Sequence, residues 1–270
     1  MTPAADAAAV VRVKLVVAYD GRPFRGWQSQ AGGGAVQDFL ETALSRVCDG
    51  RRVPVHGAGR TDAGVHACGQ VAHADLPAAV VATRFANDGA RLAAALNAHL
   101  PAAIRIVQAV CIKQNAAIHW HARFSAREKW YRYRLWHAPS LHPLEVGRAW
   151  HVPGTLDFDA LRAAAARLVG THDFAPFAAR RGRNSTAEPA STVRALRRVA
   201  VRRGPGPLVT LDFVGDGFLY RQVRLCTGSL VRVAQGKAPL EWIERLLAGR
   251  AGKTSFAAPA EGLYLMRVRY

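Results

Sequence analysis

The sequence predicts an α+β fold. Two ferredoxin-like β-α-β-β-α-β halves join into one continuous, mainly antiparallel sheet with helices on one face. Three observations predict it. Apolar residues alternate with others over 11–19, the period of a half-buried strand. They recur at helical spacing over 36–48. The order strand, helix, two strands, helix, strand then occurs in both halves of the chain, as a repeat of pattern without residue identity.

In the first half, Val11, Val13, Leu15 and Val17 form the opening strand, and Val36, Leu40, Ala43, Leu44 and Val47 mark helix 36–48. Extended pieces 51–57 and 68–76 flank a glycine-rich loop. Leu92, Leu96 and Leu100 mark a helix that Pro101 ends, and 104–112 is a strand. In the second half, strand 130–136 has Tyr131, Tyr133 and Leu135 on one face and Arg132 and Arg134 on the other. Phe158, Leu161, Ala165 and Leu168 mark helix 157–169, with Gly170 as its stop. Strands 193–201 and 208–214 flank a Gly-Pro-Gly-Pro turn at 204–207. A helix covers roughly 220–235, a short one runs from Pro239 to Gly249, and the last strand is 263–269. Residues 1–10 read as a disordered N-terminus, 11–112 as the N-terminal half, 113–123 as a linker and 124–270 as the C-terminal half. Halves joined edge to edge leave a cleft between them, a favoured place for a site.

Composition narrows the class of function. Half of the 270 residues are apolar, so a sizeable core is expected and disorder is not. The net charge of +18 implies a polyanionic partner. Only five of the 37 basic residues are lysine. Compositional drift explains that arginine preference, but less well the shortfall to 19 acids. Cys48, Cys68, Cys111 and Cys226 are scattered with no CxxC pair, which argues against zinc or a disulfide framework and for reduced, cytoplasmic thiols. No run approaches the ~20 apolar residues of a membrane span, and the start lacks a secretory pattern. The His-Trp-His at 119–121 is weak evidence for a metal. Gly252-Lys-Thr-Ser has Leu247 where a P-loop needs glycine, and no paired carboxylates suggest two-metal or glycosidase chemistry. Neither cofactor nor metal is expected.

Four stretches carry candidate chemistry. In "GAGRTDAG", 57–64, a dinucleotide fingerprint would need glycine where Asp62 stands. The stretch is a glycine-rich hairpin turn, or it presents a lone carboxylate nucleophile beside Arg60, close enough in sequence to pair with it. "KWYRYRL", 129–135, is an ordinary half-buried strand, or one whose aromatic face stacks a base while Lys129 and its arginines touch phosphate. In 218–236, Arg221, Arg224, Gly228 and Arg232 fall at helical intervals, either as a solvated basic face or with an arginine aimed at an anionic centre. Gly228 at that spacing lets another backbone approach closely. The stretch 180–203, with eight arginines including Arg180, Arg181 and Arg183, reads as RNA-backbone contact on a loop and exposed strand.

Together these blocks resemble the tRNA pseudouridine synthase A family. "YDGRPFRGWQSQ" at 19–30 is similar to its opening strand and turn, and "GRTDAGVHACGQVAH" at 59–73 to its nucleophile signature. "HARFSAREKWYRYRL" at 121–135 and "GFLYRQVRLCTGSLVRVAQGK" at 217–237 resemble its tyrosine and arginine blocks, and "EGLYLMRVRY" at 261–270 its last strand. A Met commonly precedes the Val-Arg of the arginine block, where this chain has Gln222, and the 113–120 segment looks longer than usual. The resemblance implies the pseudouridine synthase fold and an isomerase that converts uridine to pseudouridine at positions 38–40 of the tRNA anticodon stem-loop, without cofactor. It implies Asp62 as nucleophile, Tyr131 and Arg224 as its site partners, Arg60 beside the flipped nucleotide, and a homodimer. A synthase acting on another RNA, or a non-catalytic RNA-binding protein, remains the alternative.

Overall fold

A computed structural model describes residues 9–112, 119–179 and 191–270. The chain divides into two compact units, Met1–Ala126 and Arg127–Tyr270. Most of the expected linker, and of the expected disordered N-terminus, lies outside the described residues. Val10 is already paired, opposite Pro77.

In the N-terminal unit, β1 (Val10–Tyr19) is antiparallel to both β3 (His66–Pro77) and β4 (Ile104–Ile112), and the short β2 (His56–Gly57) pairs with β3. The alternation in β1 buries Val13, Leu15, Val17 and Tyr19 on one face. Helix α1 (Val36–Val47) turns Val36, Leu40, Ala43, Leu44 and Val47 inward. Its missing side-chain cap is offset by Asp38, whose Oδ2 accepts the Ala35 N–H at 2.8 Å. Helix α3 (Gly89–His99) is capped by Asp88, which accepts the Ala90 N–H at 2.7 Å, and buries Leu92 and Leu96.

Two local expectations are corrected here. Of the extended piece 51–57, only His56 and Gly57 join the sheet. Val55 instead donates its N–H to Glu41 Oε1 at 3.1 Å and accepts from Gln37 Nε2 at 3.1 Å, so helix side chains satisfy its backbone. A further helix, α2 (Ala78–Phe85), stands where the sequence pattern gave none. Its apolar content is short and β-branched, which hides a helical period.

In the C-terminal unit the sheet runs β10 (Leu263–Arg269), β5 (Glu128–Trp136), β9 (Leu208–Gly215), β8 (Val193–Arg203), β7 (Gly170–Asp173), all neighbours antiparallel. A two-residue β6 (Trp150–His151) lies parallel to β5. Gly204 donates to the Leu208 carbonyl at 2.7 Å in the expected Gly-Pro-Gly-Pro turn. Asp157 caps α4 (Phe158–Arg167) through the N–H groups of Asp159 and Ala160. Helices α5 (Gln222–Ala234) and α6 (Glu241–Leu247) follow. The repeated strand-helix-strand-strand-helix-strand order therefore holds as a frame in both α+β units, to which the structure adds α2, β6 and β7. Among the described residues no helix is long and apolar enough to cross a membrane.

Candidate active site

Asp62 lies on the loop between β2 and β3. That loop is fixed residue by residue. Ala58 donates to the Val71 carbonyl at 2.7 Å, and fully buried Gln70 donates to the Gly59 carbonyl at 2.9 Å. The Thr61 carbonyl accepts the Trp27 N–H at 3.0 Å, and the Thr61 hydroxyl meets the Tyr19 hydroxyl at 2.8 Å. Val65 donates to the Asp62 carbonyl at 3.1 Å, closing a turn whose third residue, Gly64, has φ +80°. Thr61 is thereby drawn inward, while Arg60 is exposed and Asp62 half-buried.

The segment 19–27 clasps this loop, and glycines make the clasp possible. A Cβ on Gly26, which has φ +87°, would come within 2.7 Å of the Thr61 carbonyl oxygen, and one on Gly21 within 2.1 Å of that of Val65. These positioning residues (Tyr19, Gly21, Gly26, Thr61 and Gln70) were missed by motif reading. The glycines of the "YDGRPFRGW" block were the available signal. Burial pushes the Tyr19 phenol well above its ordinary range, so it serves as a neutral hydrogen-bonding group. Asp20 is a second carboxylate near the loop's end. It is engaged by Arg22, whose hydrogen bonds hold it down to about 2.

In the C-terminal unit, Tyr131 is buried on the inward face of β5 and meets Phe218 edge to face, with ring centres 5.1 Å apart. Lys129 shares that face by strand alternation and is half-buried. Tyr133, on the same face, donates to the Pro259 carbonyl at 2.6 Å. Burial raises its hydroxyl well above the ordinary range, and the Arg224 charge works against that rise.

Arg224 stands in the first turn of α5. This helix is no solvated basic face: apart from Arg224 and Arg232, all of it is buried. Arg221, the exposed residue just before the helix, has a left-handed φ of +59° and its guanidinium over the Tyr220 ring. Gln222 accepts the Leu219 N–H at 2.7 Å. Arg224 Nε donates to the Ala258 carbonyl at 2.8 Å, and the Ala258 N–H donates back to the Arg224 carbonyl at 3.0 Å. Gly228 permits this, because a Cβ there would sit 2.0 Å from the Phe256 carbonyl oxygen. The close backbone approach expected at Gly228 is thus present.

Among the remaining sequence-derived candidates, Arg180, Arg181 and Arg183 lie outside the described residues. His121 packs its ring on His73 and Phe124, at 4.5 and 4.4 Å between centres. Asp62 and Arg60 belong to the N-terminal unit, and Tyr131, Arg224, Lys129 and Arg221 to the C-terminal one.

A family model for tRNA pseudouridine synthase matches residues 15–125 and 164–270. A tRNA pseudouridine synthase A of Akkermansia muciniphila is 44% identical over 263 residues, spanning 97% of this chain and 96% of the relative. One from a Bradyrhizobium strain is 43% identical over 96% of this chain and 99% of its own length. Another, from Solidesulfovibrio magneticus, is 44% identical over 97% and 92%. The family match takes in the Asp62 loop and α5 with Arg224, and with relatives this similar over nearly the full length the chain belongs to the tRNA pseudouridine synthase family.

Proposed function

We propose that the protein isomerises uridine to pseudouridine at positions 38–40 of the tRNA anticodon stem-loop, with Asp62 as nucleophile. The observation that carries this is the Asp62 loop. Its backbone and Thr61 are tied down on both sides of one half-buried carboxylate, a preorganised presentation that a plain turn does not need.

The reaction breaks N1–C1′, turns the uracil and joins C5 to C1′, with a proton leaving C5 and one arriving at N1. A carboxylate holds the detached fragment covalently meanwhile, through C6 of the base or C1′ of the sugar. The target must leave the stack, and Arg60, exposed two residues from the nucleophile, helps extrude it. Tyr131 stacks on the uracil and is the candidate base at C5. Arg224, its Nε held by the Ala258 carbonyl, is the proposed charge partner that orients the carboxylate. Lys129, Arg221, Arg180, Arg181 and Arg183 are proposed backbone contacts. The working protein is proposed to be a cytoplasmic homodimer.

Asp62→Asn keeps the size of the side chain and removes the nucleophile. Pseudouridine mapping on a tRNA transcript is expected to show no product, with tRNA affinity within a few-fold of wild type. A fully active Asn variant overturns the mechanism.

A further inference from the structure

The C-terminal sheet carries a second polar surface on the face opposite Tyr131. Along β5 the residues alternating with the buried tyrosines, Trp130, Arg132 and Arg134, are half-buried. Strand register extends their face. Arg132 stands opposite Asp212, and Trp130 opposite Val214, on β9. Arg198 on β8 pairs with Val214, and Arg267 on β10 with Trp130. Glu128, Trp130, Arg198, Val214, Arg267 and Arg269 line an open groove of about 300 Å³.

The cations around this groove fall into two kinds. Arg269 and Arg197 share Glu128, at 3.4 and 2.7 Å, and Arg132 is bound to Asp212. Arg198 and Arg267 are exposed and make no ion pair among the described residues. Between them the indole is held rigidly. Fully buried Asp212 accepts Trp130 Nε1 at 2.8 Å and the Arg132 guanidinium at 2.8 and 3.0 Å. Two uncompensated guanidiniums beside a fixed indole match a phosphodiester carrying a base. A second copy of the chain fits worse. Two-fold packing would bring the patch onto itself, with Arg132, Arg134, Arg197, Arg198, Arg202, Arg267 and Arg269 set, among the described residues, against Glu128, Asp212 and Glu145.

We infer that this groove binds RNA backbone, with phosphate between Arg198 and Arg267 and a base against Trp130. The inference takes from the proposed function only the identity of the RNA. The test compares Arg198→Ala/Arg267→Ala with Arg245→Ala/Arg250→Ala, a pair of equal charge change at exposed positions on and just after α6. Binding of a tRNA transcript is measured across salt. Two lost phosphate contacts should lower the log–log salt slope by about 1.5–2, so that the groove variant loses about tenfold less affinity than wild type from about 50 to about 200 mM salt. It should bind more weakly at low salt and keep its turnover at saturating tRNA. The control pair should keep the wild-type slope. Equal slopes for both variants overturn the inference. So does a change in oligomeric state of the groove variant at unchanged RNA affinity, which would make the face a self-interface. An active Asp62→Asn variant sinks the catalytic reading alone and leaves the groove result standing.

Discussion

Gly228→Ala tests whether close packing of α5 on the 254–258 segment is what holds Arg224. The added Cβ would lie 2.0 Å from the Phe256 carbonyl oxygen, 2.9 Å from its carbon and 3.2 Å from the Ala258 nitrogen. These are backbone atoms, so rotamer change cannot relieve the clash, and the segment must retreat by more than an ångström. Overpacking of this kind costs about 1–3 kcal/mol. The retreat strains both hydrogen bonds between Arg224 and Ala258, at about 1 kcal/mol each. Alanine recovers about 1 kcal/mol in helix propensity. The net expectation is a loss of about 2–4 kcal/mol, read as a lower denaturant midpoint, together with a fall in turnover larger than any fall in tRNA affinity. Two hydrogen bonds and one contact distance decide the sign. A variant as stable as wild type, or more stable by the propensity term, refutes the packing argument. Normal turnover in a destabilised variant refutes the link to Arg224.

Tyr19→Phe deletes the hydroxyl that meets Thr61 and leaves the buried Thr61 oxygen without that partner. A stability loss of about 1–2 kcal/mol and a reduced single-turnover rate with unchanged tRNA binding are expected, and an unaltered rate would show that the Thr61 anchor is not needed to present Asp62. His73 supplies a pH dependence. It is buried, its Nδ1 accepts the Ala122 N–H at 3.2 Å, and burial, then the charges of Arg12, His121 and His56, lowers it from 6.5 to about 4. The folded state therefore favours the neutral ring, so stability is present above pH 6.5 and lost as pH falls from 6.5 towards 4, by at most about 3 kcal/mol. Urea midpoints at pH 7 and 4.5 should differ less in His73→Gln than in wild type, and an equal difference would acquit His73.

The sequence by itself determined which faces are apolar and therefore where most elements run. Val13, Leu15 and Val17 needed no partner to announce a half-buried strand, and the period of Val36, Leu40 and Leu44 announced α1. It also marked Asp62, because a lone carboxylate among glycines is unusual in so basic a chain, and Gly228, because glycine inside an apolar helix asks for a neighbouring backbone. Only tertiary structure decided what satisfies each backbone and polar group. Val55 reads as strand yet bonds to Gln37 and Glu41. Gly21 and Gly26 read as turn residues yet clasp the Asp62 loop. Arg132 and Arg198 read alike, and only Asp212, some eighty residues from the first, neutralises one and leaves the other to the groove. Periodicity is local and survives in one dimension. The partner of a hydrogen bond or a charge is set by which distant segments meet, and that information exists only once the chain has folded.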